Sequence, residues 1–513
     1  MLDLLIVIGY FSLVFIVAIR SRTKGDDAEE YFLSSRNLKW PSIAFSTIAT
    51  NIQGYQFLGM MGSAYLYGLA QANLEINAVQ GILLAAFLFV PLYLKEKVST
   101  ISQFIEKKLG PTPALIYSLA NIFMFSTITI GAALFWGAYA AEIVFEEQLS
   151  ILHPDRGTRI IILVLILGSL SAIYTFFGGL SAVVKTDIIQ FILLLSGGLV
   201  ILFIAIRELG GWAQLYQKTE NLMHLHLPAN HEKLPWTHIF GLFLLNINYW
   251  CANQSVVQRS LAAKNLKEAQ KGLLLGGLMK YLMAVVIVVP GIALVGILGQ
   301  NALDDPDMAF PYLASTYLVP GIQGIVLCAL FASLMSTVDS TFNSISTLWS
   351  IDIYKKYLNK KASDRQMIKA GKRAILFAFV TGVTIAIVLL EVKFSDLNQA
   401  FTHTLNELRY YINCGIVVMI VAAVILITPK ERAIIIGFIA AVLFQMIFKS
   451  VFPEMNYFVR AMWVIISAFI LLLFFAKSDV KRLPNLFKSA DTNVSKFGFG
   501  MLASLILLHV LFH

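Results

Sequence analysis

Charge is scarce in this sequence. Asp, Glu, Lys and Arg make up only 13% of its 513 residues, whereas 58% are hydrophobic and the mean hydropathy is +0.76. Soluble globular domains carry about 25% charged residues. A soluble fold is therefore excluded, and we predict an all-α polytopic membrane protein surrounded by the lipid bilayer. The net charge of +9 does not indicate a nucleic acid partner, because the basic residues do not cluster on a folded domain.

Cysteine and catalytic motifs are also nearly missing. The 3 cysteines, Cys251, Cys328 and Cys414, all fall in apolar stretches. We therefore do not expect a disulfide framework. The motifs HExxH, GxSxG and GxxxxGK do not occur in a meaningful context, and no acid/base or nucleophile set has plausible spacing. We therefore predict that the chain is not an enzyme.

The apolar stretches predict fourteen membrane segments, because a span needs roughly 20 mostly apolar residues. Numbered 0 to 13, they lie near 2–19, 41–68, 73–94, 112–145, 159–178, 186–206, 236–258, 272–298, 309–350, 374–390, 398–427, 433–450, 458–476 and 497–512. Segment 0 has basic residues behind it rather than in front, unlike a signal peptide, so we predict an uncleaved helix with its N-terminus outside. Most Lys and Arg then fall in cytoplasmic loops, as the positive-inside rule requires.

Two of these segments are interrupted by polar residues. Ile48 to Gly62 reads IATNIQGYQFLGMMG, and Asn246 to Gln254 reads NINYWCANQ. Lipid tolerates such interruptions only where they face protein or a water-filled cavity. Interrupted segments five apart indicate a LeuT-type transporter of two inverted repeats with five helices each. In a single domain 1–513, we assign 41–206 and 236–427 to the repeats, and 1–40 and 428–513 to accessory helices and connections.

Among the ionisable residues within the predicted segments, five carry most of the information, namely Glu75, Asp187, Lys280, Asp339 and Arg409. An ionisable group inside a membrane is a functional hypothesis by default. Glu75 and Lys280 form either a structural ion pair or a cavity of opposite charges that binds a neutral, hydroxyl-rich solute.

Segment 8 carries a run of hydroxyl residues. Ser336, Asp339 and Ser340 stand at i, i+3 and i+4, and therefore share one helix face. Such hydroxyls either pack helices closely or join the free carbonyls of a helix break as sodium ligands. Ala49 and Ile52, at the break in segment 1, are the expected partners.

Four long stretches resemble the sodium/solute symporter family, and in particular its sodium–glucose cotransporter branch. They are EEYFLSSRNLKWPSIAFSTIATNIQGYQFLGMMGSAY, FFGGLSAVVKTDIIQ, NYWCANQSVVQRSLAAKNLKEAQKG and STFNSISTLWSIDIYKKY, and they occur in the family's order over nearly the whole chain. The resemblance implies a transporter coupled to sodium ions.

The resemblance also implies site residues. The sodium ligands would be the carbonyls of Ala49, Ile52 and Ser333 with the hydroxyls of Ser336 and Thr337. A second cation site would use Asp187, Ser336, Asp339 and Ser340; there Asp339 replaces a family hydroxyl, which either strengthens that site or introduces a proton. The solute would bind to Gln56, Glu75, Asn246, Tyr249, Trp250, Lys280 and Asn406, with Met60, Phe125 and Phe401 as the outer gate and Tyr249 as the inner gate.

The sequence departs from the family pattern in segments 2, 3 and 10. Ala78 stands where the family has a serine, Leu74 where it has a tyrosine and Thr129 where it has an asparagine. Asn406 is the nearest match to the sugar-binding glutamine, with a one-residue slip. These departures leave the identity of the solute open.

We therefore predict a sodium-coupled secondary active symporter that imports a neutral sugar or polyol by alternating access. The alternatives are the same fold with another small solute, such as an inositol, a sialic acid or an amino acid, and a channel or sensor that has lost transport. The small outer loops favour the bacterial inner membrane, and the sequence does not determine an oligomeric state.

Overall fold

The computed structural model describes residues 2–21, 25, 27–54, 56–395, 401–480 and 491–513, with the side chains of 395 and 401–404 left out. These residues form helices and no β-strand. Helices α1 to α12 are Leu2–Arg20, Ala28–Leu33, Trp40–Asn51, Met61–Tyr67, Asn73–Ile76, Ala78–Leu84, Val90–Lys95, Ile101–Leu109, Pro111–Met124, Ile130–Val144, Glu146–Leu149 and Arg156–Leu209. Helices α13 to α23 are Trp212–Thr219, His238–Asn246, Gln254–Leu261, Leu266–Leu298, Ala309–Tyr317, Ile322–Thr347, Asp364–Ser395, Phe401–Ile425, Glu431–Val451, Tyr457–Ala476 and Thr492–Leu511.

In the described ranges, 11 helical stretches are long and apolar enough to cross a membrane. The sequence predicts fourteen segments, and the difference arises at three places. Predicted segments 4 and 5 lie on the single 54-residue helix α12, and the end of segment 1 is continuous with segment 2 in a 40-residue stretch, Gln56–Lys95. Predicted segment 6 is divided between α14 and α15, each of which is too short on its own. The all-α membrane architecture is confirmed, and the count of fourteen stays a prediction.

Both polar interruptions are real breaks in helices. Helix α3 ends at Asn51, and Ile52 is extended with φ −81° and ψ 105°. After α14 and the π-helical stretch Ile247–Ala252, Asn253 is extended with φ −82° and ψ 115° and accepts a hydrogen bond from the backbone of α15. Each break frees backbone N–H and C=O groups that a continuous helix would have paired. Polar side chains at the breaks can bond to some of these groups, and the others are free to bind a ligand.

Helix α18 lies at the centre of the molecule. It packs most extensively against α12 and also contacts α1, α3, α10, α15 and α19. Its last five turns, from Cys328 to Thr347, are entirely buried. The hydroxyl residues of α18 consequently face other helices rather than lipid, and they can serve as ligands or as close packing surfaces.

Candidate transport site

The seven residues predicted to bind solute line one cavity of about 130 Å³. It lies between the break after α3, helices α5 and α6, the α14–α15 break, α16 and α20. Its lining includes Gln56, Glu75, Asn246, Tyr249, Trp250, Lys280 and Asn406, together with Asn51, Gln53, Asn248, Arg409 and Asn413. The structure thus brings the predicted solute residues together, while their individual roles remain proposals.

Glu75 is the centre of a buried hydrogen-bond network. Its Oε1 accepts a hydrogen bond from Gln56 Nε2 at 2.6 Å, and its Oε2 forms a salt bridge with Lys280 Nζ. Lys280 also donates to Asn51 Oδ1 at 2.6 Å. Both carboxylate oxygens of Glu75 are therefore engaged, and its charge is balanced within the network.

This network explains why the cavity is small. Ligand pockets usually enclose about 300–1,000 Å³, whereas here polar side chains bond to one another across the space. Asn246 adds a bond from its Nδ2 to the Asn77 carbonyl at 3.0 Å, which ties α14 to the start of α6. A solute with several hydroxyl groups could replace these bonds one for one as the side chains separate.

Two of the predicted gate residues, Met60 and Tyr249, line the cavity. Tyr249 packs edge-on against Trp250, with ring centroids 5.2 Å apart. Phe125 is buried in the π-helical stretch Phe125–Thr129 and is not part of the described lining. The side chain of Phe401 lies outside the described part of the structure. The outer gate thus stays a prediction for the two phenylalanines.

Helix α20 contributes a polar stripe to the cavity. Asn406, Arg409 and Asn413 follow one another at intervals of three and four residues, and all three line it. Sequence reasoning assigned Arg409 to neither site and did not consider Asn413. Helical spacing alone could have placed both residues on the face of Asn406, but only the packing of α20 shows that this face meets the cavity.

Where α3 ends against α18, the structure brings together four of the five predicted sodium ligands, namely Ala49, Ile52, Ser333 and Thr337. Ser333 Oγ donates to the Ile52 carbonyl at 2.7 Å, and Thr337 Oγ1 lies 3.2 Å from the carbonyls of Thr50 and Ser333. The Gln53 amide donates to Gln56 Oε1 at 2.6 Å instead of continuing the helical pattern. That bond leaves the Ala49 carbonyl, four residues earlier, without its helical donor. Oxygen atoms at a helix C-terminus form the environment that a hard cation prefers.

Ser336 points elsewhere, toward a second buried cluster around Asp187. Asp187 accepts hydrogen bonds from Ser336 Oγ and Ser46 Oγ, both at 2.5 Å. Arg259 Nη2 lies 3.2 Å from Asp187 Oδ2 and also bonds to Ser340 Oγ. Three of the residues predicted for a second cation site, Asp187, Ser336 and Ser340, therefore do meet, with a guanidinium group among them.

Asp339, the fourth residue of that predicted site, does not join this cluster. Its side chain is fully buried and neither carboxylate oxygen has a hydrogen-bond partner among the described residues. The hydroxyl of Ser171 on α12 is its polar neighbour. Helix geometry explains the separation, because Asp339 is rotated about 60° around α18 from Ser336 and away from Ser340.

Sequence reasoning missed Arg259. The predicted span ended at residue 258, so Arg259 counted as a cytoplasmic loop charge. In the structure it lies in the last turn of α15 and is completely buried. The only available signal was its place in a half-helix after a break, where a basic side chain can turn back into the protein.

The chain is similar in sequence to known sodium symporters. The family model of the sodium:solute symporter family matches residues 31–406. The sodium/glucose cotransporter of Vibrio parahaemolyticus is 27% identical over 94% of this chain and 92% of its own length. An uncharacterized symporter, YidK, of Escherichia coli K12 is 33% identical over 75% and 68%, and the sodium/myo-inositol cotransporter 2 of Oryctolagus cuniculus is 29% identical over 74% and 60%.

Among solved structures, a Na+-coupled sialic acid symporter in a substrate-bound, outward-open state is similar in fold. Its TM-score is 0.78 at 20% identity, and the match covers 94% of this chain and 99% of that one. At this level of identity the likeness concerns the fold. Together the matches agree with a chain that spans the membrane many times and is built for transport.

Proposed function

Because the chain belongs to the sodium:solute symporter family, we propose that it couples the entry of sodium to the import of a sugar or polyol by alternating access. It is a sodium-coupled transporter and not an enzyme. The observation that carries the proposal is the cavity around Glu75, Lys280, Gln56 and Asn246, whose donors and acceptors match a solute with several hydroxyl groups. The related cotransporters named for glucose and myo-inositol support this solute class.

In this proposal one helix break serves both ligands. The carbonyls of Ala49, Ile52 and Ser333 and the hydroxyl of Thr337 bind sodium, and the Ser336 hydroxyl completes the set by exchanging its hydrogen bond to Asp187 for the ion. Gln56 faces the solute. Sodium must then tighten solute binding by the same factor by which the solute tightens sodium binding. The membrane potential adds about 2.3 kcal/mol per charge per 100 mV to the inward driving force.

We propose fourteen spans with repeats at 41–206 and 236–427. A straight helix of 54 residues would be about 80 Å long, far more than the roughly 30 Å of the hydrocarbon core. Helix α12 instead has a non-helical residue, Gly179, near its middle. The matching extended residues Ile52 and Asn253 support an internal repeat. The distribution of basic residues supports an outer N-terminus, and the bacterial relative supports location in a bacterial plasma membrane.

The proposal is tested by uptake into proteoliposomes with an imposed inward sodium gradient, using labelled hexoses, polyols and inositols. We expect at least one solute to accumulate above equilibrium only when sodium is present outside. Current without solute accumulation would instead establish a channel, and no response to any solute would contradict the proposed class.

The sodium site is tested by Thr337→Val, with Thr341→Val as its matched control. Thr341 is equally buried and lies one turn further along α18. Within the described part of the chain, its hydroxyl bonds only to the Thr337 carbonyl, at 2.7 Å. A hydrogen bond or ligand contact to a charged group contributes about 1.5–3 kcal/mol. We expect Thr337→Val to raise the half-saturating sodium concentration about 10- to 100-fold, and Thr341→Val to leave it nearly unchanged. Equal effects of the two variants would contradict the assignment.

A further inference from the structure

The solute cavity carries an excess of positive charge. Its charged lining residues are Glu75, Lys280 and Arg409, two cations and one anion. Glu75 and Lys280 balance each other in a salt bridge between buried side chains. Among the described residues of the lining, the charge of Arg409 is therefore left without a counter-charge. The balance of Glu75 with Lys280, from which the sequence predicted a neutral solute, describes only part of the site.

No carboxylate of the described residues forms a salt bridge with Arg409. The nearest acidic residue along α20 is Glu407, which pairs with Arg460 of α22 and, at 2.9 Å, with Lys449 of α21. Arg409 Nε is buried and has no hydrogen-bond partner among the residues described. Among the described residues, Arg409 interacts electrostatically with the hydroxyl of Tyr249, which also lines the cavity.

An uncompensated cation beside a narrow membrane cavity is costly, because little water is present to solvate it. A guanidinium presents its donors in a planar fork that matches a carboxylate with two parallel hydrogen bonds. Asn413 lies one turn beyond Arg409, and its buried Oδ1, which lacks a partner within the described ranges, is an acceptor suited to a hydroxyl group of the solute. The cavity thus has one end that pairs with hydroxyl groups and another that fits an anion.

We propose that the solute is a polyhydroxylated monocarboxylate, a sugar acid, with its carboxylate on Arg409 and its hydroxyl groups on the Glu75 and Lys280 network. This inference rests on the proposed function and narrows its solute class. The carboxylate would neutralise the leftover charge, and the remaining carbons would carry hydroxyl groups toward Gln56 and Asn246.

The test uses purified full-length protein in sodium and compares matched probes in which one hydroxymethyl group of the neutral partner is a carboxylate in the acid. D-glucose is paired with D-glucuronate, D-galactose with D-galacturonate, and sorbitol with D-gluconate. Binding is measured as ligand-induced thermal stabilisation, and transport as sodium-driven uptake into proteoliposomes. We expect the acid of at least one pair to bind about tenfold or more tightly than its neutral partner, as a charged hydrogen bond predicts.

Variants locate the effect. Arg409→Gln should abolish the preference for the acid while sodium still stabilises the protein, and Arg409→Lys should retain part of it. Lys449→Gln is the matched control, since it removes a positive charge from the neighbouring helix α21 on a side chain that does not line the cavity. Its acid preference should equal that of the wild type.

The outcomes separate this inference from the proposed function. Sodium-driven uptake of neutral sugars with weaker binding of every acid would overturn the sugar-acid inference and leave sugar symport standing. An acid preference that survives in Arg409→Gln would also overturn the role of Arg409. If no probe of either charge binds in sodium, both proposals fail.

Discussion

The pair formed by Asp187 and Arg259 gives the sharpest prediction about the protein's interior. Both side chains are completely shielded from solvent, and their charged atoms are 3.2 Å apart. Breaking a buried ion pair from one side leaves an uncompensated charge, which costs about 3–5 kcal/mol. We therefore expect Arg259→Met and Asp187→Asn each to destabilise the folded protein by about that amount.

The double variant should be more stable than either single variant. In Arg259→Met, Asp187 Oδ2 keeps only the hydroxyl of Ser46 as a donor, and in Asp187→Asn the guanidinium faces neutral groups. With both changes no unpaired charge remains, and buried ion pairs are often replaced by neutral groups at little cost. If the two residues acted independently, the double variant would instead lose the sum of the two effects.

Thermal unfolding of purified protein in detergent measures this order. Sodium adds a second observable, because in Arg259→Met the carboxylate of Asp187 lies with Ser336 and Ser46 where a cation could replace the guanidinium. We expect high sodium, relative to high potassium, to restore part of the stability of Arg259→Met but none of that of Asp187→Asn. Additive losses, or equal sodium effects in the two variants, would refute the reasoning.

Two further predictions concern other parts of the molecule. Gly179→Ala should lower the folded yield and the melting temperature, because Gly179 has φ +58° and an added Cβ would lie 2.4 Å from the Tyr31 carbonyl oxygen. Gly9 is the control: its Cβ position is open space, so Gly9→Ala should leave both quantities unchanged. In the loop before α17, burial and the neighbouring Asp305 raise the pKa of Asp307 from 3.8 to about 6. The folded state then binds this proton more tightly than the unfolded state, so stability should rise as pH falls from about 7 to about 4. Melting curves should show this rise, and Asp307→Asn should remove it while the exposed Asp304→Asn retains it.

The breaks in the helices could be predicted from the sequence because lipid penalises them. Polar side chains near Ile52 and Asn253 stand in otherwise apolar segments, and only a cavity or protein contact makes them tolerable. The structure places an extended residue at each position. The same reasoning identified Glu75 and Lys280, whose charges had to face the interior.

The charge of the solute site could not be predicted in the same way. Arg409 lies on an apolar helix whose rotation follows from packing against neighbours, and the sequence contains no local signal for that rotation. Arg259 was missed for a related reason, since the predicted span ended at residue 258, three residues before the end of α15, and this error moved Arg259 from the protein interior to a loop. Both errors concern positive charges, and both change how the ion and solute sites are interpreted.

Gln56 connects the two proposed sites through consecutive hydrogen bonds. Its Oε1 accepts from the Gln53 amide, and its Nε2 donates to Glu75. A solute that replaces either hydrogen bond can move the Gln56 side chain and so weaken its bond to the Gln53 amide. The alternative acceptor for that amide is the Ala49 carbonyl, four residues earlier. That carbonyl is one of the proposed sodium ligands. While the Gln53 amide donates to Gln56 Oε1, the Ala49 carbonyl is free to bind sodium. This one backbone donor thus links the solute site to the sodium site over less than two helical turns, which gives reciprocal coupling a physical path.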